Sequence, residues 1–86
     1  MYELDFEHIG NNIRKRRKKL NLTIQELSKE VGSSRSHISH IEKGESKFSL
    51  RFLVAIANAL SCSVDYLLGY NVDVYNDYVF SNDFEE

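Results

Sequence analysis

The segment from Thr23 to Gly44, TIQELSKEVGSSRSHISHIEKG, admits few folds, because its two short amphipathic runs are separated by only a glycine and two serines. Thr23 and Glu26 stand at the N-cap and N3 spacing of a capping box, and Leu22 and Leu27 fall where a hydrophobic staple closes. A helix is therefore expected to start at Ile24. Leu27 and Val31 continue an apolar stripe at the four-residue step, and Gly32 follows where a left-handed residue costs least. After Ser33, the hydroxyl of Ser34 can cap a second helix running to Lys43 and closed by Gly44.

The faces of that second helix carry the functional argument. At about 100° per residue, Ser34, Ile38, Ile41 and Glu42 share one side, whereas Ser36, Ser39, His40 and Lys43 share the other. The side with the isoleucines is expected to be core. Arg35 lies on the flank near the N-terminal end, with a stem long enough to reach outward. Hydroxyl, imidazole, guanidinium and ammonium groups on the outer side can donate to guanine O6 and N7 and to phosphate oxygens. No carboxylate is expected on this face.

These residues resemble the phage-repressor/Cro-like helix-turn-helix regulators, often called XRE-type. The resemblance runs from about Phe6 to Gly69 and includes SVDYLLG, Ser63 to Gly69, which is similar to the last helix of that family. It implies an all-α, five-helix repressor-like domain. By position it assigns base reading to Arg35, Ser36 and His40, and also to Ser39. It assigns phosphate contacts to Ser34 and Lys43, and a structural ion pair to Arg17 of the first helix and Glu42. Three positions differ from the usual pattern. Ile24 stands where a phosphate-clamping glutamine is frequent, with Gln25 one step on. Ser33 replaces an apolar corner residue, which leaves Ile38 without an apolar staple partner and is expected to hold the third helix less firmly. Phe48 replaces a frequent proline and stands at N′ of a Ser49 cap, where it could staple to Leu53.

Eighty-six residues suffice for one modest core, and no separate sensing domain of ordinary size is expected within them. The net charge of −2 conceals a division along the chain. Residues 1–8 form an acidic lead with three acids and no base, residues 9–69 hold all eleven bases against five acids, and the tail 70–86 has five acids and no base. A basic body between acidic ends is the asymmetry expected of a phosphate-binding domain. No secretory pattern marks the acidic start. The longest apolar run, around Leu53 to Leu60, is too short to span a bilayer, so a cytoplasmic location is expected. The single cysteine, Cys62, precedes a Ser63 cap, where a small buried apolar residue fits.

The run Arg14 to Lys19 lies inside a helix whose apolar stripe is Ile9, Ile13 and Leu20, so its side chains fan out in different directions. It is read as a solvated face with one or two members near a phosphate. A fourth helix is expected from Leu50 to Leu60 with Leu50, Leu53, Ile56, Ala57 and Leu60 inward. Lys47 and Arg51 flank its start and either add phosphate contacts or serve solubility. His37 and His40 are three apart but lack further ligands at zinc spacing, and His8 reads as a surface residue of the first helix. Neither the serines nor Cys62 have a base at a recognisable spacing, so no enzyme activity, metal or cofactor is expected.

The tail YNVDVYNDYVFSNDFEE mixes strand-like and helix-like spacing. Three readings stay open, self-association, docking of a protein partner and a disordered end; its five aromatics weigh against the last, and self-association leads. The chain is thus expected to be a regulator of transcription, with repression the leading mode, that reads a double-stranded DNA operator as a homodimer. The alternative is an antitoxin-like or adaptor module working through its acidic aromatic tail.

Overall fold

The computed structural model describes residues 4–69, and these form five helices in succession: α1, Phe6–Lys19; α2, Ile24–Val31; α3, Arg35–Glu42; α4, Leu50–Ala59; and α5, Val64–Leu68. The tail at 70–86, whose three readings are self-association, partner docking and a disordered end, lies outside the described residues.

Each helix begins on a short polar side chain that accepts from the backbone N–H three residues ahead. Asp5, Thr23, Ser34, Ser49 and Ser63 serve α1 to α5 in turn. These contacts satisfy donors that would otherwise lack a partner at a helix start. At α2 the capping box is complete: Glu26 N–H donates to Thr23 Oγ1 at 3.0 Å, and Thr23 N–H donates to Glu26 Oε1 at 2.8 Å. Gly32 then ends α2 in the left-handed region at φ 71°. The α2–α3 corner is the one read from the sequence.

Ten apolar side chains make the core: Ile9 and Ile13 of α1, Leu27 of α2, Ile38 and Ile41 of α3, Leu53, Ile56 and Ala57 of α4, Leu60, and Leu67 of α5. Burying one of the leucine or isoleucine side chains among them stabilises by about 1.5–3 kcal/mol. Helix α3 sits between α1 and α2, while α4 packs on α2 and α5 on α1. The corner is thus clamped from behind on both of its helices, and among the described residues the opposite side of α3 is left open.

Several expectations need correction. The acidic lead at 1–8 overlaps the first turn of α1 from Phe6, with His8 on that helix as expected, because Asp5 caps there and Phe6 packs edge-on against Phe48 at 4.9 Å. Phe48 therefore has an aromatic partner on α1. Leu50 is not inward but 70% exposed: it is the first residue of α4, where the helix overhangs the core. Helix α4 ends at Ala59, with Leu60 as its C-cap. Helix α3 ends at Glu42, with Lys43 as its C-cap.

Candidate nucleic-acid interface

The open side of α3 is built by its own register. Ile38 and Ile41 are fully buried, which turns Arg35, Ser36, His40 and Lys43 to solvent, with Ser39 half-buried at the edge. Ser34 is exposed at the N-terminus of the helix, and its hydroxyl accepts from His37 N–H at 3.0 Å. Lys47 and Arg51 are also exposed, in the loop after α3 and the first turn of α4. Beside the start of α3, an open groove of about 500 Å³ is lined by Arg17, Leu22, Thr23, Ile24, Gln25 and Arg35. Arg35 thus stands at the junction of this groove and the open face.

What holds α3 at this angle is a buried ion pair. Arg17 Nε donates to Glu42 Oε2 at 2.7 Å, and Nη2 donates to Oε1 at 3.0 Å. The remaining nitrogen, Nη1, donates to the carbonyl of Leu22 at 2.8 Å. One guanidinium therefore ties α1 to the end of α3 and to the chain entering α2. Two parallel bonds between planar groups fix orientation as well as distance.

The corner has a polar contact where the apolar staple is missing. Ser33 Oγ lies 2.9 Å from His37 Nδ1, and the His37 ring stacks at 5.2 Å and 32° on Phe52 of α4. A polar link thus stands in for the staple, and it takes His37 off the open face.

A carboxylate does reach that face, contrary to expectation. Glu45 Oε1 lies 2.8 Å from His40 Nδ1, and both side chains are about half exposed. The sequence carried a signal for it: Gly44 closes α3, and the second residue past a C-cap meets the third from last of the helix. Within the basic run, Arg16 turns out to be structural. Its Nε donates to the carbonyl of Leu60 at 2.9 Å, its Nη2 to that of Ser61 at 3.1 Å, and its guanidinium lies 5.7 Å from the Tyr66 ring centre. Arg14, Lys15, Lys18 and Lys19 are exposed.

Among the described residues, no group of three or more His, Cys, Asp or Glu is placed to hold a metal ion. No helix among them is long and apolar enough to cross a membrane. Cys62 is partly buried against the core, and burial raises its thiol pKa, with the Arg16 guanidinium opposing.

Residues 13–67 match the helix-turn-helix family model HTH_3. The chain is 45% identical over 60 residues to repressor protein C2 of Salmonella phage P22, an alignment covering 70% of this chain and 28% of the phage protein. It is 36% identical over 59 residues to an uncharacterized transcriptional regulator from the ATPase CF(0) region of Rhodospirillum rubrum, covering 69% of this chain and 55% of that one. The chain therefore spans little more than half, or less, of the length of these two relatives. Among solved structures, the P22 c2 repressor in complex with a synthetic operator superposes with a TM-score of 0.66 at 45% identity, covering 70% of this chain and 91% of that one.

Proposed function

Because the chain belongs to the helix-turn-helix family, we propose that it is a sequence-specific regulator of transcription that inserts α3 into the major groove of a double-stranded DNA operator. The single observation that carries this reading is the open face of α3, which turns a guanidinium, hydroxyls and an imidazole outward from a basic body. On this reading Arg35, Ser36, Ser39 and His40 meet base edges, where each base pair shows its own pattern of donors and acceptors. Ser34, Lys43, Lys47 and Arg51 lie around them and take the phosphates of the two strands, which fixes register without reading sequence. The groove beside Arg35, with Thr23 and Gln25 at its rim, is where the sugar-phosphate backbone passes α2.

The P22 repressor structure was determined on an operator, which supports the reading. As in our sequence-based expectation, the protein acts in the cytoplasm as a homodimer on a palindrome, its two α3 helices entering successive grooves about 34 Å apart. Occupying a promoter in this way blocks transcription, so repression is the mode proposed. Selection of bound sequences from a random duplex pool, followed by footprinting, tests it. One enriched motif with two-fold symmetry and half-sites a helical turn apart is expected. Enrichment of no sequence, with uniform weak binding that vanishes in moderate salt, would overturn the reading.

A further inference from the structure

Gly44 and Glu45 close α3 with a pair of backbone hydrogen bonds, Gly44 N–H to the carbonyl of Ile41 at 3.0 Å and Glu45 N–H to that of His40 at 2.9 Å. This is the Schellman arrangement, in which the second residue beyond the C-cap lies over the third from last of the helix, commonly in an apolar contact. Here the two side chains are an imidazole and a carboxylate. Gly44 takes φ 79°, and a Cβ there would meet the backbone of Glu7 on α1, so the turn that delivers Glu45 is fixed by packing as well as by its own bonds. The contact between Glu45 and His40 is therefore dictated by backbone geometry.

An ionised carboxylate can only accept hydrogen bonds. At 2.8 Å from Glu45 Oε1, His40 Nδ1 must carry the proton of that bond. Nε2 is then the ring nitrogen left for anything approaching the face, and in the neutral ring it is an acceptor. Resting on the reading that α3 enters the major groove, we infer that Glu45 is a positioning residue that fixes the His40 tautomer, so that His40 selects a base bearing an exocyclic amino group. Adenine N6 and cytosine N4 present such donors in the major groove, whereas guanine O6 and N7 and thymine O4 oppose one acceptor to another. Glu45 thus contributes to specificity without itself touching DNA. The same carboxylate weakens attraction to phosphate in general, so removing it separates the two effects.

The test compares the full chain with its Glu45→Gln, Glu45→Ala, His40→Ala and His40→Ala/Glu45→Gln variants in weakly alkaline buffer. Duplex selection reads base preference, and ¹⁵N-resolved NMR of the His40 ring reads the tautomer. The unaltered chain is expected to show His40 protonated at Nδ1 and a preference of about tenfold for adenine or cytosine at one position of each half-site, as befits one base-edge contact. In Glu45→Ala the ring should shift toward the Nε2-protonated form and the preference should fall to about twofold, whereas Glu45→Gln, whose amide oxygen still accepts from Nδ1–H, should keep the tautomer better; in both, affinity for random duplex should hold or rise. The double variant should read no differently from His40→Ala. A Glu45→Ala ring that keeps the Nδ1 proton to the same extent, or a preference unchanged at every position in that variant, would overturn the inference with the DNA-binding reading intact. Failure of the unaltered chain to enrich any sequence would overturn both.

Discussion

Arg17 and Glu42 meet as two planar groups joined by parallel hydrogen bonds of 2.7 and 3.0 Å in the interior between α1 and α3, each residue only 7% exposed. No buried side-chain nitrogen or oxygen among the described residues lacks a partner. Glu42→Ala would leave a buried guanidinium with one bond, to the carbonyl of Leu22. Losing one member of such a pair costs about 3–5 kcal/mol, whereas replacing both by apolar residues is often close to neutral. Thermal melts should therefore show a large drop for Glu42→Ala and a much smaller one for Arg17→Met/Glu42→Leu. Equal losses in the two variants would assign the effect to packing and leave the charge with no part in it.

Gly10 reverses an ordinary rule. Glycine inside an exposed helix is about 1 kcal/mol less favourable than alanine, so Gly→Ala normally stabilises. At Gly10 an added Cβ would collide with the carbonyl oxygen of Ile41 and stand 2.9 Å from that of Glu42, where α1 crosses α3. Gly10→Ala is expected to destabilise by at least about 2 kcal/mol, as overpacking does. The comparison is Gly32→Ala, where φ is 71° but nothing lies within 4 Å. That variant should lose only the roughly 1–2 kcal/mol of a left-handed alanine. Denaturant midpoints for both variants check the order.

Arg16 differs from its neighbours in the basic run by its two carbonyl partners at the end of α4 and by its place over Tyr66. Arg16→Ala is expected to cost about 1–3 kcal/mol, because hydrogen bonds from a charged donor contribute that much. Lys15→Ala and Lys18→Ala, at exposed positions, should stay within about 0.5 kcal/mol of the parent. Urea unfolding of the three variants would expose any failure of this contrast.

These side chains also mark what could be read from residue order. The helix starts at Ile24 and Arg35 were legible because capping is local chemistry, settled within three residues of Thr23 and Ser34. The buried side of α3 followed from the spacing of Ile38 and Ile41. Which member of six consecutive bases turns inward was legible for Arg17 only through family resemblance, and Arg16 was missed, since its partners at Leu60 and Ser61 are more than forty residues away. Leu50 was misplaced because periodicity assigns a face but does not say where a helix outruns its core. Glu45 was overlooked because the outer face was drawn from α3 alone, without the turn that folds back on it.

Cys62 gives a prediction in pH. Burial holds its proton more tightly in the folded protein than in the unfolded chain. A raised folded pKa contributes stability that is complete below the ordinary thiol range and is lost as pH rises through the raised value. Alkaline titration should therefore weaken the parent more steeply than Cys62→Ala. Iodoacetamide should also alkylate the folded protein more slowly than the urea-unfolded chain at the same pH, since the thiolate is the nucleophile. Equal rates in the two states would show the thiol to be freely solvated.

Arg35 and Lys43 sit at opposite ends of the open face of α3 and should fail in different ways. Arg35 is exposed in the first turn, at the head of the groove shared with Thr23 and Gln25, where a guanidinium can reach a guanine edge with two donors. Lys43 is exposed at the C-cap, past the last helical residue, and on the proposed reading its ammonium meets backbone phosphate as a point charge. Arg35→Ala is expected to cost about 1–3 kcal/mol on the selected operator and to relax preference at one base pair. Lys43→Ala should weaken selected and random duplexes alike and reduce the slope of log affinity against log salt by about one, because one fewer phosphate is neutralised. Salt titrations of both variants on both duplexes separate these outcomes. Equal losses on selected and random DNA for Arg35→Ala would remove it from the base-reading set and move it among the phosphate contacts with Ser34 and Lys43.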